Sequence, residues 1–67
     1  MLLKKYGMWI ADNNKENVTI FENPDNSYTA FHKNKFNEKV KVLECKGCSF
    51  SECVKTINNV FNTCISI

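Results

Sequence analysis

Apolar residues alternate along four short stretches, and in each stretch both phases of the alternation are apolar. Over residues 4–11, Tyr6, Met8 and Ile10 fall on one side of an extended chain, and Trp9 and Ala11 on the other. The split recurs as Val18 and Ile20 against Phe21, Tyr28 and Ala30 against Phe31, and Val40 and Val42 against Leu43. A period of two is the mark of a strand, so strands are predicted over 4–11, 17–23, 27–33 and 38–46. Asn23-Pro24-Asp25-Asn26 carries proline where a type I turn favours it, which makes 17–33 a hairpin. Asn34-Lys35-Phe36-Asn37 is a second, weaker turn. Connections this short imply neighbouring antiparallel strands. The outer strands then carry Lys4, Lys5, Lys39 and Lys41, which suits edges that must not pair with other chains.

The pattern changes to a helical period near the C-terminus. Ser49-Phe50-Ser51-Glu52 has the spacing of a capping box. Phe50, Cys53, Val54, Ile57, Val60, Phe61 and Cys64 then make one apolar stripe. The helix is expected to end between Asn62 and Cys64, leaving Ile65-Ser66-Ile67 as a tail that either frays or packs on the sheet. The predicted fold is α+β: a four-stranded antiparallel meander with one C-terminal helix packed on one face.

One helix covers one face. The more aliphatic set (Tyr6, Met8, Ile10, Val18, Ile20, Tyr28, Ala30, Val40 and Val42) is the better match for the helix stripe, because branched side chains pack well on a pleated surface. That assignment leaves Trp9, Phe21, Phe31 and Leu43 uncovered, with Lys5, Lys33 and Lys41 among them. Such a face has three candidate occupants: a second copy of the chain, a different protein gripped by aromatic anchors, or single-stranded nucleic acid stacked on the rings. A bulge at Gly7 would shift the phase of Trp9 and move it into the core.

Composition ranks these options. A 67-residue chain is one domain and buries little, so chains of this size often add a disulfide, a metal or a second copy. A content of 43% hydrophobic and 12% aromatic residues argues against disorder. An enclosed catalytic cleft with its supporting shell is hard to fit into this length, and the chain is read as non-enzymatic. The net charge is only +2, and all nine basic residues are lysine. Lysine lacks the planar fork that pairs with phosphate and guanine, so protein contact ranks above nucleic acid. No stretch approaches the length of a spanning helix, and Met1-Leu2-Leu3 followed by Lys4-Lys5 has the wrong order for an export signal. A cytoplasmic location with reduced thiols follows as an expectation. The abundance of Asn and Lys without Arg looks like the product of an AT-rich genome, bacterial or bacteriophage.

Cys45-Lys46-Gly47-Cys48 is a closely spaced thiol pair. A small zinc-binding domain built on it would draw on Cys45, Cys48, Cys53 and His32. A redox site would exploit the nearby helix N-terminus. Against both stands simple packing: Cys53 and Cys64 lie on the helix stripe, where thiols act as small hydrophobes. No cofactor is therefore assigned. His32 is the only histidine, lies beside Lys33, and reads as an exposed strand-end residue without a catalytic partner.

The stretch Gly47-Cys48-Ser49-Phe50-Ser51-Glu52-Cys53-Val54 resembles the capped helix start of HicB-type antitoxins, which also place a helix after a short antiparallel sheet. The resemblance covers those residues alone. The Pro-rich segment that precedes the glycine in those antitoxins is absent, so no family is assigned. The functional expectation is a small interaction protein that binds a protein partner, itself as a homodimer, or both, in the manner of a phage-encoded inhibitor of a host system. The alternatives are a single-stranded nucleic-acid binder on the same face and the small zinc domain.

Overall fold

Gly7 breaks the first apolar stretch in two. Its φ of +76° is one that residues with a side chain rarely adopt. The chain reverses there, so that Lys5 pairs with Met8. A computed structural model describes residues 3–5, 7–37 and 39–66, with the backbone alone at Leu3 and Lys5. The reversal separates β1 (Leu3–Lys5) from β2 (Met8–Asp12). β3 (Glu16–Glu22), β4 (Tyr28–Asn34), β5 (Val40–Cys45) and α1 (Phe50–Phe61) follow. The sheet is antiparallel throughout, in the order β1-β2-β3-β4-β5. The α+β class, the meander of the four longer strands and the single helix on one face are as the sequence predicts. The short β1 extends the edge.

Asparagine side chains shape the turns. Asn13 Oδ1 accepts from the amides of Lys15 and Glu16 at 2.7 and 2.9 Å, closing the β2–β3 connection. The amide of Asn26 donates to the carbonyl of Asn23 at 3.0 Å, and Asn26 itself takes a left-handed φ of 66°. Asn34 Oδ1 accepts from the amide of Phe36 at 2.8 Å. Asn tolerates left-handed backbone and bonds its own main chain, so its frequency here has a structural use besides any compositional origin.

The helix begins as a capping box. The Glu52 amide donates to the Ser49 hydroxyl at 3.2 Å, and the Ser49 amide donates to the Glu52 carboxylate at 3.2 Å. Gly47, with φ +70°, lets the chain turn out of β5 just before it. The helix ends at Asn62 in the left-handed conformation, which satisfies a last-turn carbonyl. Asn58 then binds the tail: its Oδ1 accepts from the Thr63 hydroxyl and the Ile65 amide, both at 2.8 Å, and its Nδ2 donates to the Ile65 carbonyl at 3.0 Å. Ile65 packs on the core.

The core lies between α1 and one face of the sheet. Val18, Ile20, Ala30 and Cys45 meet Cys53, Val54, Ile57 and Phe61. Ile20 and Ile57 are fully buried, each contributing roughly 1.5–3 kcal/mol by the usual transfer scale. Ring contacts hold both ends of the helix. Trp9, Tyr28 and Phe50 cluster at its start, with Trp9 and Phe50 centroids 4.5 Å apart. Phe61 stacks on His32 at 5.2 Å near its end.

Two strands present the phase opposite to the one expected. Trp9 and Ala11, not Met8 and Ile10, face the helix; Leu43 and Cys45, not Val40 and Val42, do so on β5. The reversal at Gly7, rather than a bulge, sets the phase of β2 by pairing Trp9 with Ile20. On β5 the phase follows from pairing Leu43 with Ala30 and Cys45 with Tyr28. Tyr6, expected on the helix side, lies outside the described residues.

Candidate interaction face

The face of the sheet away from α1 forms cross-strand rows. The middle row runs Ile10, Thr19, Phe31 and Val42, with Leu3 opposite Ile10 in the backbone register. Beside it, Met8, Phe21, Thr29 and Glu44 align, with Lys5 opposite Met8 in the register. On the other flank, Asp12, Asn17, Lys33 and Val40 align. Phe21 and Phe31 are diagonal neighbours and meet edge to face at 5.6 Å, the preferred arrangement for ring quadrupoles. Val40 and Val42, on the edge strand β5, are each 57% exposed. Among the described residues, no element lies over this face.

The sequence-predicted binding residues therefore separate. Phe21, Phe31 and Lys33 share the uncovered face. Trp9 and Leu43 do not: they belong to the layer beneath the helix. Lys41 pairs with His32 and so falls on the helix side of the sheet, where it is exposed. Lys5 is placed by backbone register only. The nucleic-acid alternative loses its indole and one lysine from the face by this placement. Met8, Ile10, Val40 and Val42 take their place; strict alternation in which both phases are apolar carried no signal that could have chosen them.

Among the described residues, the ion pair of this face lies at its rim. Asp12 pairs with Lys35 at 2.6 Å, and this hydrogen bond, with help from Asn17, holds the Asp12 carboxyl below its usual range. Lys33 and Glu44 make no ion pair among the described residues.

The cysteines and His32 do not form one site. Cys45, Cys48 and Cys53 gather around the start of the helix, whereas His32 sits four residues along β4 from Tyr28, the partner of Cys45. That is a strand distance of about 13 Å. Among the described residues, no three His, Cys, Asp or Glu side chains converge where a metal ion could sit. Burial pushes the Cys53 thiol up to about 12, with the neighbouring Cys45 adding to the effect, and burial also raises Cys48. Both changes oppose the thiolate that redox and metal chemistry need.

His32 is 6% exposed and not the solvent-facing residue expected. It shares the helix-side phase of Tyr28 and Ala30, and Phe61 covers it. Its Nε2 lies 2.8 Å from Glu16 Oε2, and its Nδ1 is buried without a hydrogen-bond partner among the described residues. A cleft of about 260 Å³ between the β2–β3 connection and the C-terminal tail is lined by Asp12 and Glu16. Both carboxylates are already engaged, by Lys35 and His32.

No protein-family model, no curated protein and no solved structure matches the chain. No described helix is long and apolar enough to cross a membrane.

Proposed function

We propose that this chain is a non-catalytic interaction module that binds a protein surface through the sheet face bearing Phe21, Phe31, Val40 and Val42, with Met8 and Ile10. One observation carries the reading: the helix is committed to the opposite face, leaving Val40 and Val42 both 57% exposed beside the paired Phe21 and Phe31 rings. Contiguous apolar surface on a small chain commonly marks an interaction site. Aromatic anchors supply much of the energy of such sites. The carboxylates that line the cleft beside the C-terminal tail are engaged by Lys35 and His32, so the face is the better candidate than that cleft.

Panning a displayed peptide library against the immobilised chain at low coupling density tests the reading. Peptides with alternating apolar residues are expected, binding the native chain and losing that binding to Phe31→Asp. Recovery of no Phe31-dependent peptide would sink the proposal. Circular dichroism of the variant separates loss of the face from loss of the fold.

A further inference from the structure

We propose that Cys45, Cys48 and Cys53 form a thiol–disulfide exchange site, which takes up oxidation from a small disulfide at Cys48 and holds it as a Cys45–Cys53 bond between β5 and α1. The inference does not depend on the interaction reading above.

The fold gathers the three thiols. Cys45 ends β5, opposite Tyr28 on β4. The Tyr28 ring touches Phe50 in the first turn of α1, and Cys53 follows about one turn later on the buried side of the helix. Cys45 and Cys53 lie in the core, 6% and 0% exposed, and Cys48 packs half-buried against that core. The chain bends at Gly47, in the spacer between Cys45 and Cys48. Burial raises both the Cys53 and Cys48 thiols, and the charge and hydrogen bonding of Cys45 add to the effect in each case. Cys48 acts on Cys53 through charge alone. The thiols are thus a row with Cys45 in the middle, in keeping with the lack of a convergent metal-ligand group among the described residues. Exchange proceeds by attack on one sulfur as another departs, so a central sulfur flanked by two others is the arrangement it needs.

Cys48 is the one member of the row that is not fully buried. Its thiolate attacks one sulfur of a glutathione-type disulfide; that S–S bond breaks, and one small thiol leaves with the proton that Cys48 gave up. Cys45 then attacks Cys48 Sγ, and the second small thiol leaves with the Cys45 proton. Cys53 finally attacks Cys45 Sγ; the Cys45–Cys48 bond breaks, and Cys48 regains a proton as Cys53 loses one. The net change is oxidation of two protein thiols and reduction of one small disulfide to two thiols. The last step favours Cys53 because the loop it closes is longer and restrains the unfolded chain more. Burial keeps the thiols protonated and makes each attack slow. It also denies the reduced form the stabilised thiolate that makes some dithiols strong oxidants, so the bond persists once formed. The helix rests chiefly on β4, and the bond adds a covalent tie to the edge strand β5.

Oxidation of the Cys64→Ser chain tests this, since exposed Cys64 would otherwise pair between molecules. The folded chain is held in glutathione disulfide at mildly alkaline pH, alkylated with N-ethylmaleimide at mildly acidic pH, and mapped by peptide mass. The expected product has Cys45 joined to Cys53 and Cys48 alkylated, with a raised urea midpoint. Cys48→Ala should reach the same bond about ten-fold or more slowly. Cys53→Ala should stop at the Cys45–Cys48 bond. Circular dichroism checks that each variant folds, and the pairing in the Cys64→Ser chain needs neither of them. A chain that stays reduced, or that keeps glutathione on Cys48, overturns the site. So does any other final pairing, or closure at an unchanged rate without Cys48. Closure that accelerates in step with added urea reports unfolding instead of exchange in the folded chain, and the inference fails.

Discussion

Trp9 lies 4.5 Å from Phe50, ring centroid to centroid, and this contact fastens the first turn of the helix to the second strand. Tyr28 closes the cluster from β4, and the Lys4 ammonium sits 5.0 Å from the indole centroid on its outer side. Trp9 is therefore a packing residue. Trp9→Ala should cost about 3 kcal/mol, read as a lower urea midpoint, with peptide binding lost only in step with folding. A fully folded Trp9→Ala chain that no longer binds would contradict this placement.

The capping box gives a graded pair of outcomes. Ser49→Ala should cost about 1 kcal/mol. Hydrogen bonds from Ser49, the backbone amide first and the hydroxyl second, hold the Glu52 carboxyl below its ordinary value of 4.5. A lowered carboxyl favours folding above its unfolded value and loses that contribution as pH falls through the folded one. Stability should therefore drop on acidification below about pH 5, and Glu52→Gln should flatten part of that acid limb in thermal melts.

His32 and Glu16 form a partly buried pair, 8% and 28% exposed at the side chain. Removing one partner leaves a buried polar ring unsatisfied, so Glu16→Ala should destabilise by about 2 kcal/mol. His32→Phe in the Glu16→Ala background keeps a ring against Phe61 and removes the orphaned polar group. Chemical denaturation of the single and double variants should show partial recovery in the second; equal losses in both would mean that the pair does not matter.

Thiol reactivity reports the core directly. Cys64 is exposed, Cys45 and Cys53 are buried, and Cys48 is half-buried with its thiol raised by burial. A disulfide reagent at mild alkaline pH should label Cys64 first, and Cys64→Ser should abolish the fast phase. Cys53, pushed up to about 12, should react only on the time scale of unfolding.

The elements that local chemistry dictates were legible in advance. The helix begins at the predicted capping box and ends at Asn62, and the hairpin around Pro24 lies where its turn residues put it. The phase of β2 and β5 was not legible. Alternation shows that a residue and its second neighbour share a face, but not which face, and with both phases apolar the choice passes to the turns. The reversal at Gly7 and the pairing of Leu43 with Ala30 made that choice. Consequently Phe21, Phe31 and Lys33 could be read onto one face from the central hairpin alone, while Trp9 and Leu43 could not. The burial of His32 depended on Phe61 arriving from the helix, a contact between distant parts of the chain.

Every strand of this sheet pairs with its neighbour in sequence, and the helix that completes the core follows all five strands in the chain. On a ribosome the hairpins can therefore zip up in order of synthesis, each closing only a short loop. Until residues 50–61 emerge, however, Val18, Ile20 and Trp9 stand open on one side of the nascent sheet and Phe21 and Phe31 on the other. The growing chain passes through a stage that is sticky on both sides, and arrival of the helix halves that hazard.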